Sequence, residues 1–239
     1  MNDLNVQGRD AFRYSGTHLL NSGEANLANY NKWISQQFVA VFQRHRYRSV
    51  LDFGAGIGSI ASLFRQYAGL PPSTLEIDPV QADVLRTRGF SPIQSLDELS
   101  GDVDFIYTSN VLEHIEDDLG VLKQLHAKLS SGGRIAVFVP AFESIWTTLD
   151  DKVGHHRRYT KLTLSEQLKK AGFEIESIGY RDSIGFMLAL VFKIVGSKSG
   201  EPSDLSLWIF DRLLWPVSQA LDLIASPFFG KNVLAIARK

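Results

Sequence analysis

Residues 49–53, Ser49-Val50-Leu51-Asp52-Phe53, run directly into Gly54-Ala55-Gly56-Ile57-Gly58, and this stretch decides the fold. The first five residues form a short apolar run of the kind a buried strand presents. Three glycines in the next five positions open backbone conformations that a Cβ forbids, and they let a ligand approach the main chain. Ile60, Ala61, Leu63, Phe64 and Tyr67 follow at helical spacing, so the turn opens a helix whose first N–H groups have no partner inside it. Such a strand, turn and helix N-terminus form either a ligand cradle or a tight joint that only packs helix on sheet.

Working outward, the same alternation continues. Residues 74–77, 103–108, 134–139, 173–180 and 232–238 read as strands, and 92–94 as a weak one. Residues 80–88, closed by Gly89, and 117–129, stopped by Gly132-Gly133, read as helices. Thr163-Leu164-Ser165-Glu166 has the form of a capping box with Thr163 at the N-cap, opening a helix that ends near Ala171-Gly172. The first 48 residues show helical spacing at Leu27, Tyr30, Ile34, Phe38, Val41 and Phe42. Strands alternating with helices predict a parallel sheet with crossover helices on both faces, the α/β class.

Composition bounds the rest. The chain has 239 residues, 44% hydrophobic and 21% charged, with Lys+Arg 25 against Asp+Glu 26. This is one ordinary domain with enough apolar material for a core. A net charge of −1 gives no general attraction to nucleic acid, and no long basic stripe exists, so nucleic-acid partners are not expected. Absence of cysteine excludes a disulfide framework, a thiolate metal site and a thiol nucleophile, and fits a cytoplasmic location. Residues 1–16 are polar, unlike a secretory signal, and no run of 18 apolar residues is present.

The glycine spacing separates two ligand classes. A dinucleotide fingerprint, G-x-G-x-x-G, counted from Gly54 needs Gly or Ala where Ser59 stands. Counted from Gly56 it meets Gly58 and Ala61, with the wrong lead-in. Val50-Leu51-Asp52-Phe53-Gly54-Ala55-Gly56-Ile57-Gly58 instead resembles the first motif of class I, Rossmann-like S-adenosylmethionine-dependent methyltransferases. Leu75-Glu76-Ile77-Asp78-Pro79 resembles the second. Residues 103–106 with Asn110-Val111-Leu112-Glu113-His114-Ile115 resemble the fourth-strand motif of the small-molecule branch. Ser130-Ser131-Gly132-Gly133 is similar to the usual approach to strand five.

The resemblance covers roughly residues 27–180 and the last strand. It implies a seven-stranded, mostly parallel sheet whose final strand is antiparallel. It also implies a cofactor, S-adenosylmethionine, released as S-adenosylhomocysteine. Glu76 would accept the two ribose hydroxyls, and Asp78 is the lesser claimant. Asp52, Gly54, Ala55, Gly56, Gly58, Ile77, Ser95, Leu96, Asn110 and Val111 would complete the cofactor site. Ser95 and Leu96 are the adenine contacts, and Asn110 lies near the methionine moiety. A dinucleotide-dependent oxidoreductase and a non-catalytic binding module are the competing readings.

The acceptor should meet the cofactor at the rim where strands four and five end. His114 follows strand four and is either a capping histidine or a catalytic one. Asp150-Asp151-Lys152-Val153-Gly154-His155-His156-Arg157-Arg158-Tyr159 follows strand five and resembles a Gly-His-x-Arg-Arg-Tyr element of some bacterial methyltransferases. His155 is the expected general base, for an O-methylation. His156, Arg157, Arg158 and Tyr159 are expected to bind an anionic group of the substrate, unless the arginines only pair with Asp150 and Asp151. No metal site is assigned, because the His and Asp spacing is not diagnostic.

The chain thus divides into an N-terminal helical cap (1–48), a cofactor-binding core (49–181), a helical insertion (182–231) and a final strand (232–239). Within the insertion Asp204, Asp211, Ser218 and Asp222 form one polar helical stripe, and Pro216 should kink or split the helix. Trp208 and Trp215, seven apart, should share a face. The insertion either covers the sheet edge, closes as a lid, or lies in a membrane interface and serves a lipid- or sugar-linked acceptor.

Overall fold

The computed structural model describes residues 13–195 and 202–239. The expectations for residues 1–12 and for 196–201 of the insertion lie outside them. In chain order the elements are α1 (Thr17–Asn26), α2 (Ala28–Arg44), β1 (Val50–Phe53), α3 (Ser59–Ala68), β2 (Ser73–Leu75), α4 (Pro79–Thr87), β3 (Val103–Ser109) and α5 (Asp118–Lys128). Then come β4 (Leu129–Pro140), α6 (Thr148–Val153), α7 (Lys161–Lys170), β5 (Glu174–Arg181), α8 (Ser183–Val195), α9 (Asp204–Ile209), α10 (Trp215–Ala225) and β6 (Asn232–Arg238).

Among the described residues the sheet has six strands in the order β2-β1-β3-β4-β6-β5. The pairs among β1, β2, β3 and β4 are parallel, and β6 runs antiparallel between β4 and β5. The seventh strand expected at 92–94 is reduced to one parallel bridge, Leu75 to Ile93. Ile93 donates to Thr74 O at 2.9 Å and accepts from Glu76 N at 3.0 Å. Pro92 beside it has no N–H, and Ser95 turns the chain at once into the 3-10 turn Leu96–Glu98, so no ladder extends.

The central strands β1, β3, β4 and β6 are largely buried on both faces, and residue alternation divides two cores. Ile135, Val137 and Val139 of β4 join Leu51, Ile106 and Val233 under α5 and α7, represented by Leu122, Leu125, Leu164 and Leu168. Ala136 and Phe138 point the other way, with Phe105 and Tyr107 of β3, against Ile34, Phe38, Val39 and Phe42 of α2 and Phe64 of α3. The period of two within β4 and the helical period within α2 are therefore satisfied by the same packing.

Three local expectations are corrected. Gly132-Gly133 do not stop a helix. α5 ends at Lys128 because Leu129 already pairs with Val103, and the glycines form an irregularity inside β4, Gly132 at φ +75°. Thr163 is not the N-cap. Thr160 is, exchanging hydrogen bonds with Thr163 at 3.1 and 2.9 Å, because the bridge at Tyr159 fixes the chain and lets α7 begin directly after it. Trp208 and Trp215 do not share a face: Trp208 is exposed and Trp215 buried. Pro216 gives no N–H to the preceding turn, and the chain widens into a π-helical turn at Phe210–Leu214. That turn holds about one extra residue, which rotates everything beyond it.

The polar stripe of the insertion faces inward. Asp211, fully buried, accepts the N–H groups of Asn29 (3.0 Å) and Tyr30 (2.8 Å) at the start of α2, whose own N-cap Leu27 has no side-chain acceptor. Asp222 accepts from Asp182 N (2.8 Å) and Ser183 N (3.0 Å), and Ser218 from Ile184 N (3.1 Å), at the start of α8. Asp204 accepts from Ser22 and Asn26 of α1. Each acid meets a helix N-terminus or a polar side chain, and the apolar side of α9 and α10 is left outermost.

Candidate active site

β1, β2 and β3 end on one rim, and the glycine turn bends back over it. Gly54, Gly56 and Gly58 have φ of +76°, +56° and +84°, the left-handed region that glycine alone occupies without strain. A methyl group on Gly54 would strike the Val111 side chain. Gly54 N and Ala55 N both donate to Leu75 O at 2.9 Å, which pins the turn to β2.

Glu76, at the end of β2, clasps this turn. Its Oε2 accepts from Gly56 N at 2.8 Å and its Oε1 from Asp78 N at 2.8 Å. Burial pushes its carboxyl above the usual range, against the pull of these N–H donors. Each oxygen keeps a lone pair for a further donor. Asp78 is occupied otherwise: it caps α4 through Val80 N and Gln81 N and accepts Tyr14 N at 2.6 Å.

A cavity of about 370 Å³ opens here. Asp52, Gly54, Ala55, Gly56, Glu76, Ile77, Asn110, Val111 and His114 line it. Gly58 stands at the N-cap of α3, just behind. Ser95 and Leu96 do not reach the cavity. Ser95 caps the 3-10 turn that follows it, and Leu96 is buried in the core. The roof was missed in the sequence: Tyr14, Leu19, Leu20, Gly23, Glu24 and Leu27 come from α1 and its flanks. Glu24 ties this roof to Arg88 beyond α4 by two hydrogen bonds, 2.5 and 2.7 Å. Nothing in the spacing of α1 distinguishes a roof from a surface helix.

Asp52 is buried, and burial raises its carboxyl to about 8. Asn110 holds φ +54° while its N–H donates to Phe138 O at 2.8 Å, so β4 sets its direction.

A second cavity of about 240 Å³ shares Tyr14, Leu19, Tyr30, Asn110 and His114 with the first. Glu113, Asp150, His155, Arg158, Lys231 and Asn232 are among its other walls. His155 Nδ1 meets Asp150 Oδ1 at 2.7 Å, which leaves Nε2 on the far side of the ring, 3.9 Å from Glu113 Oε1. Asp150 also accepts from Arg158 at 2.8 and 3.0 Å and from Thr147 N at 2.8 Å. Burial alone would raise its carboxyl, but the His155 and Arg158 hydrogen bonds hold it well below the usual range.

Glu113 is fully buried, with no hydrogen-bond partner on either oxygen, and burial lifts it to about 8. Sequence reading placed Glu113 in a motif without giving it a role, because nothing in the sequence marks its side chain as unpartnered. His114 packs edge-on against Tyr14 and His155, at 5.2 and 4.6 Å between ring centres. Burial and the nearby His155 lower its imidazole to about 4.

The rest of the Gly-His-x-Arg-Arg-Tyr element is architectural. Arg157 pairs with Asp118 at 2.7 Å and donates to Glu116 O at 2.7 Å. Tyr159 is buried and donates to Asp118 at 2.7 Å. His156 is exposed and lines neither cavity. Arg158 reaches the second cavity, but Asp150 and Ala141 O occupy its fork. Both guanidinium groups thus pair with acids, Asp118 and Asp150, and Asp150 also braces His155.

Among solved structures, an S-adenosylmethionine-dependent methyltransferase from Thermotoga maritima superposes with a TM-score of 0.61 at 16% identity, covering 94% of this chain and 98% of that one. One from Archaeoglobus fulgidus gives 0.54 at 19% identity over 86% and 94%. Phosphoethanolamine N-methyltransferase 2 from Haemonchus contortus, in complex with S-adenosyl-L-methionine, gives 0.53 at 14% identity over 85% and 52%. These likenesses establish the fold. No curated protein matches the chain in sequence. Residues 26–178 match the model of the methyltransferase domain family, well over half of the chain. With the motifs of β1, β2 and β3 meeting in one cavity, the chain belongs to that family and is an S-adenosylmethionine-dependent methyltransferase.

Proposed function

We propose that the enzyme methylates a hydroxyl oxygen of a small-molecule or a lipid- or sugar-linked acceptor that enters the second cavity. The observation that carries this reading is the continuity of the two cavities through Asn110, His114, Tyr14, Tyr30 and Leu19. A cofactor held in the larger cavity and an acceptor in the smaller one meet across that shared wall, and positioning supplies much of the rate. The acceptor oxygen attacks the sulfonium methyl, the O–C bond forms as the C–S bond breaks, and neutral S-adenosylhomocysteine leaves. The hydroxyl proton is lost to His155, in the wall that it builds with His114 and Glu113. Asp150 orients His155 within it. Ile77, half exposed at the cavity edge, is assigned to the adenine face in place of Ser95 and Leu96. A lipid-linked acceptor is favoured by the apolar outer face of the insertion, whose return strand begins beside Lys231 and Asn232 of the second cavity.

Calorimetry with S-adenosylmethionine on the wild type and Glu76→Ala tests the cofactor half. Binding to the wild type, weakened at least tenfold by the substitution, is expected. The acceptor half is tested by transfer of a labelled methyl group into hydroxylated lipid and glycolipid panels. His155→Ala should lower transfer by about 10²-fold or more with unchanged cofactor affinity. Equal transfer by His155→Ala and wild type would remove His155 from the reaction.

A further inference from the structure

We infer that Glu113, His114 and His155 bind a divalent cation of the zinc and manganese class at the junction of the two cavities. The inference rests on the acceptor site described above and names a component of it that residue spacing alone does not mark.

Three independent features converge. First, each residue offers one ligand atom, and these atoms all lie within 4.8 Å of one another. A cation bound at about 2.0–2.2 Å from each requires them to close by roughly an ångström, within reach of small side-chain rotations. Second, Glu113 is a fully buried carboxylate whose two oxygens have no donor, on the wall of a cavity. Burial without a partner favours the neutral carboxyl, and a bound cation would supply the opposite charge that the ionised form lacks. Arg158, whose charge acts on Glu113, is spent on Asp150, and His155 Nε2 stands 3.9 Å from Glu113 Oε1, beyond hydrogen-bond reach.

Third, both imidazoles are held as metal ligands usually are. Asp150 binds Nδ1 of His155, which fixes the ring and leaves Nε2 facing Glu113. Main-chain groups of Val153 and Gly154 hydrogen-bond the His114 ring. Two imidazoles and one carboxylate are the donors that zinc, manganese and related ions share, whereas calcium and magnesium prefer all-oxygen sites. Three protein ligands leave positions open toward the cavity, as in a catalytic rather than a structural site. With Nε2 of His155 bound to the cation and no longer free to act as the base, an acceptor hydroxyl filling an open position would release its proton to water, and its oxygen would attack the methyl group as the C–S bond breaks.

The test uses the full chain, freed of metal with a chelator and then titrated with Co²⁺, read by visible absorption, and with Zn²⁺, read by calorimetry. One equivalent per chain is expected. Affinity should fall at least tenfold in Glu113→Gln and in His155→Ala. His156→Ala, whose imidazole is exposed and lines neither cavity, should bind as the wild type does. Melting curves and S-adenosylmethionine titrations on each variant separate loss of the site from loss of the fold. No stoichiometric uptake by the wild type, or equal affinity in Glu113→Gln and His155→Ala, overturns the inference. Cation uptake without methyl transfer to any hydroxylated acceptor would count against the acceptor assignment and leave the cation site standing. Transfer that proceeds unchanged in the chelated enzyme would leave the acceptor assignment standing and overturn a role of the cation in the reaction.

Discussion

Asp52 shows how one buried carboxyl links the fold to its ligand. It ends up inside because β1 is covered on both faces, and burial raises it from the ordinary carboxylate range to about 8. A raised carboxyl contributes its stability below the unfolded value and loses it as pH rises toward the folded one. The unliganded wild type should therefore lose stability relative to Asp52→Asn between about pH 4 and pH 8, by on the order of 2 kcal/mol. Parallel denaturation curves of the two proteins across that range measure it, and a pH-independent difference would refute it. The cofactor reverses the preference. S-adenosylmethionine carries two cationic centres, and a positive charge brought near Asp52 favours the ionised form. Binding at pH 7 should release a fraction of a proton in the wild type and none from this group in Asp52→Asn, read by calorimetry in buffers of different ionisation enthalpy.

At the scale of elements, the insertion acts as a set of external caps. α2 begins without a capping side chain of its own, and Asp211, from 180 residues further along, accepts its first free N–H groups. Asp211→Ala should cost about 2 kcal/mol, the sum of a lost cap and of charged hydrogen bonds, with Asp211→Asn costing less. Urea denaturation checks this, and a loss under about 0.5 kcal/mol would mean that water replaces the carboxylate. The polar stripe of Asp204, Asp211, Ser218 and Asp222 was legible in the sequence, but its direction was not. Periodicity says which residues share a face, not whether that face looks in or out. The strands, the glycine turn and Glu76 were legible because each is specified within a few residues. The missing strand at 92–94 and the shift of the cap from Thr163 to Thr160 depend on pairing partners elsewhere in the chain. Trp208 and Trp215 separated because a π turn broke the count that joined them. In the site, His114 and His155 were singled out as types, whereas the orphaned Glu113 and the α1 roof exist only once distant segments meet.

Across the whole molecule, apolar exposure is concentrated in one region. Among the described residues 14 large hydrophobic residues are exposed, and 11 of them lie in the insertion and its flanks, among them Leu223 at 86%, Ile224 at 75% and Phe228 at 71%. Scattered exposed apolar residues need no explanation, but a contiguous set does. Here three acids have been withdrawn from the surface, since Asp182, Asp211 and Asp222 are buried while Asp204 is exposed, and Arg212 remains outside over the Trp208 ring at 5.5 Å. An apolar face with an exposed tryptophan and an outward cation is complementary to a bilayer interface with anionic headgroups. Among the described residues no helix is long and apolar enough to cross a membrane, so contact through this face would be lateral. We therefore expect the wild type to float with anionic vesicles in a sucrose gradient, less so at high salt. Replacement of Leu223, Ile224 and Phe228 by serine should abolish flotation, with melting temperature and cofactor affinity unchanged because these side chains are largely exposed. If the wild type stays at the bottom of the gradient with anionic and neutral vesicles alike, the lipid surface is excluded. A dimer in sedimentation analysis, dispersed by the same three substitutions, would then identify a second copy of the chain as what covers this face, and the case for a lipid-linked acceptor would fall with it.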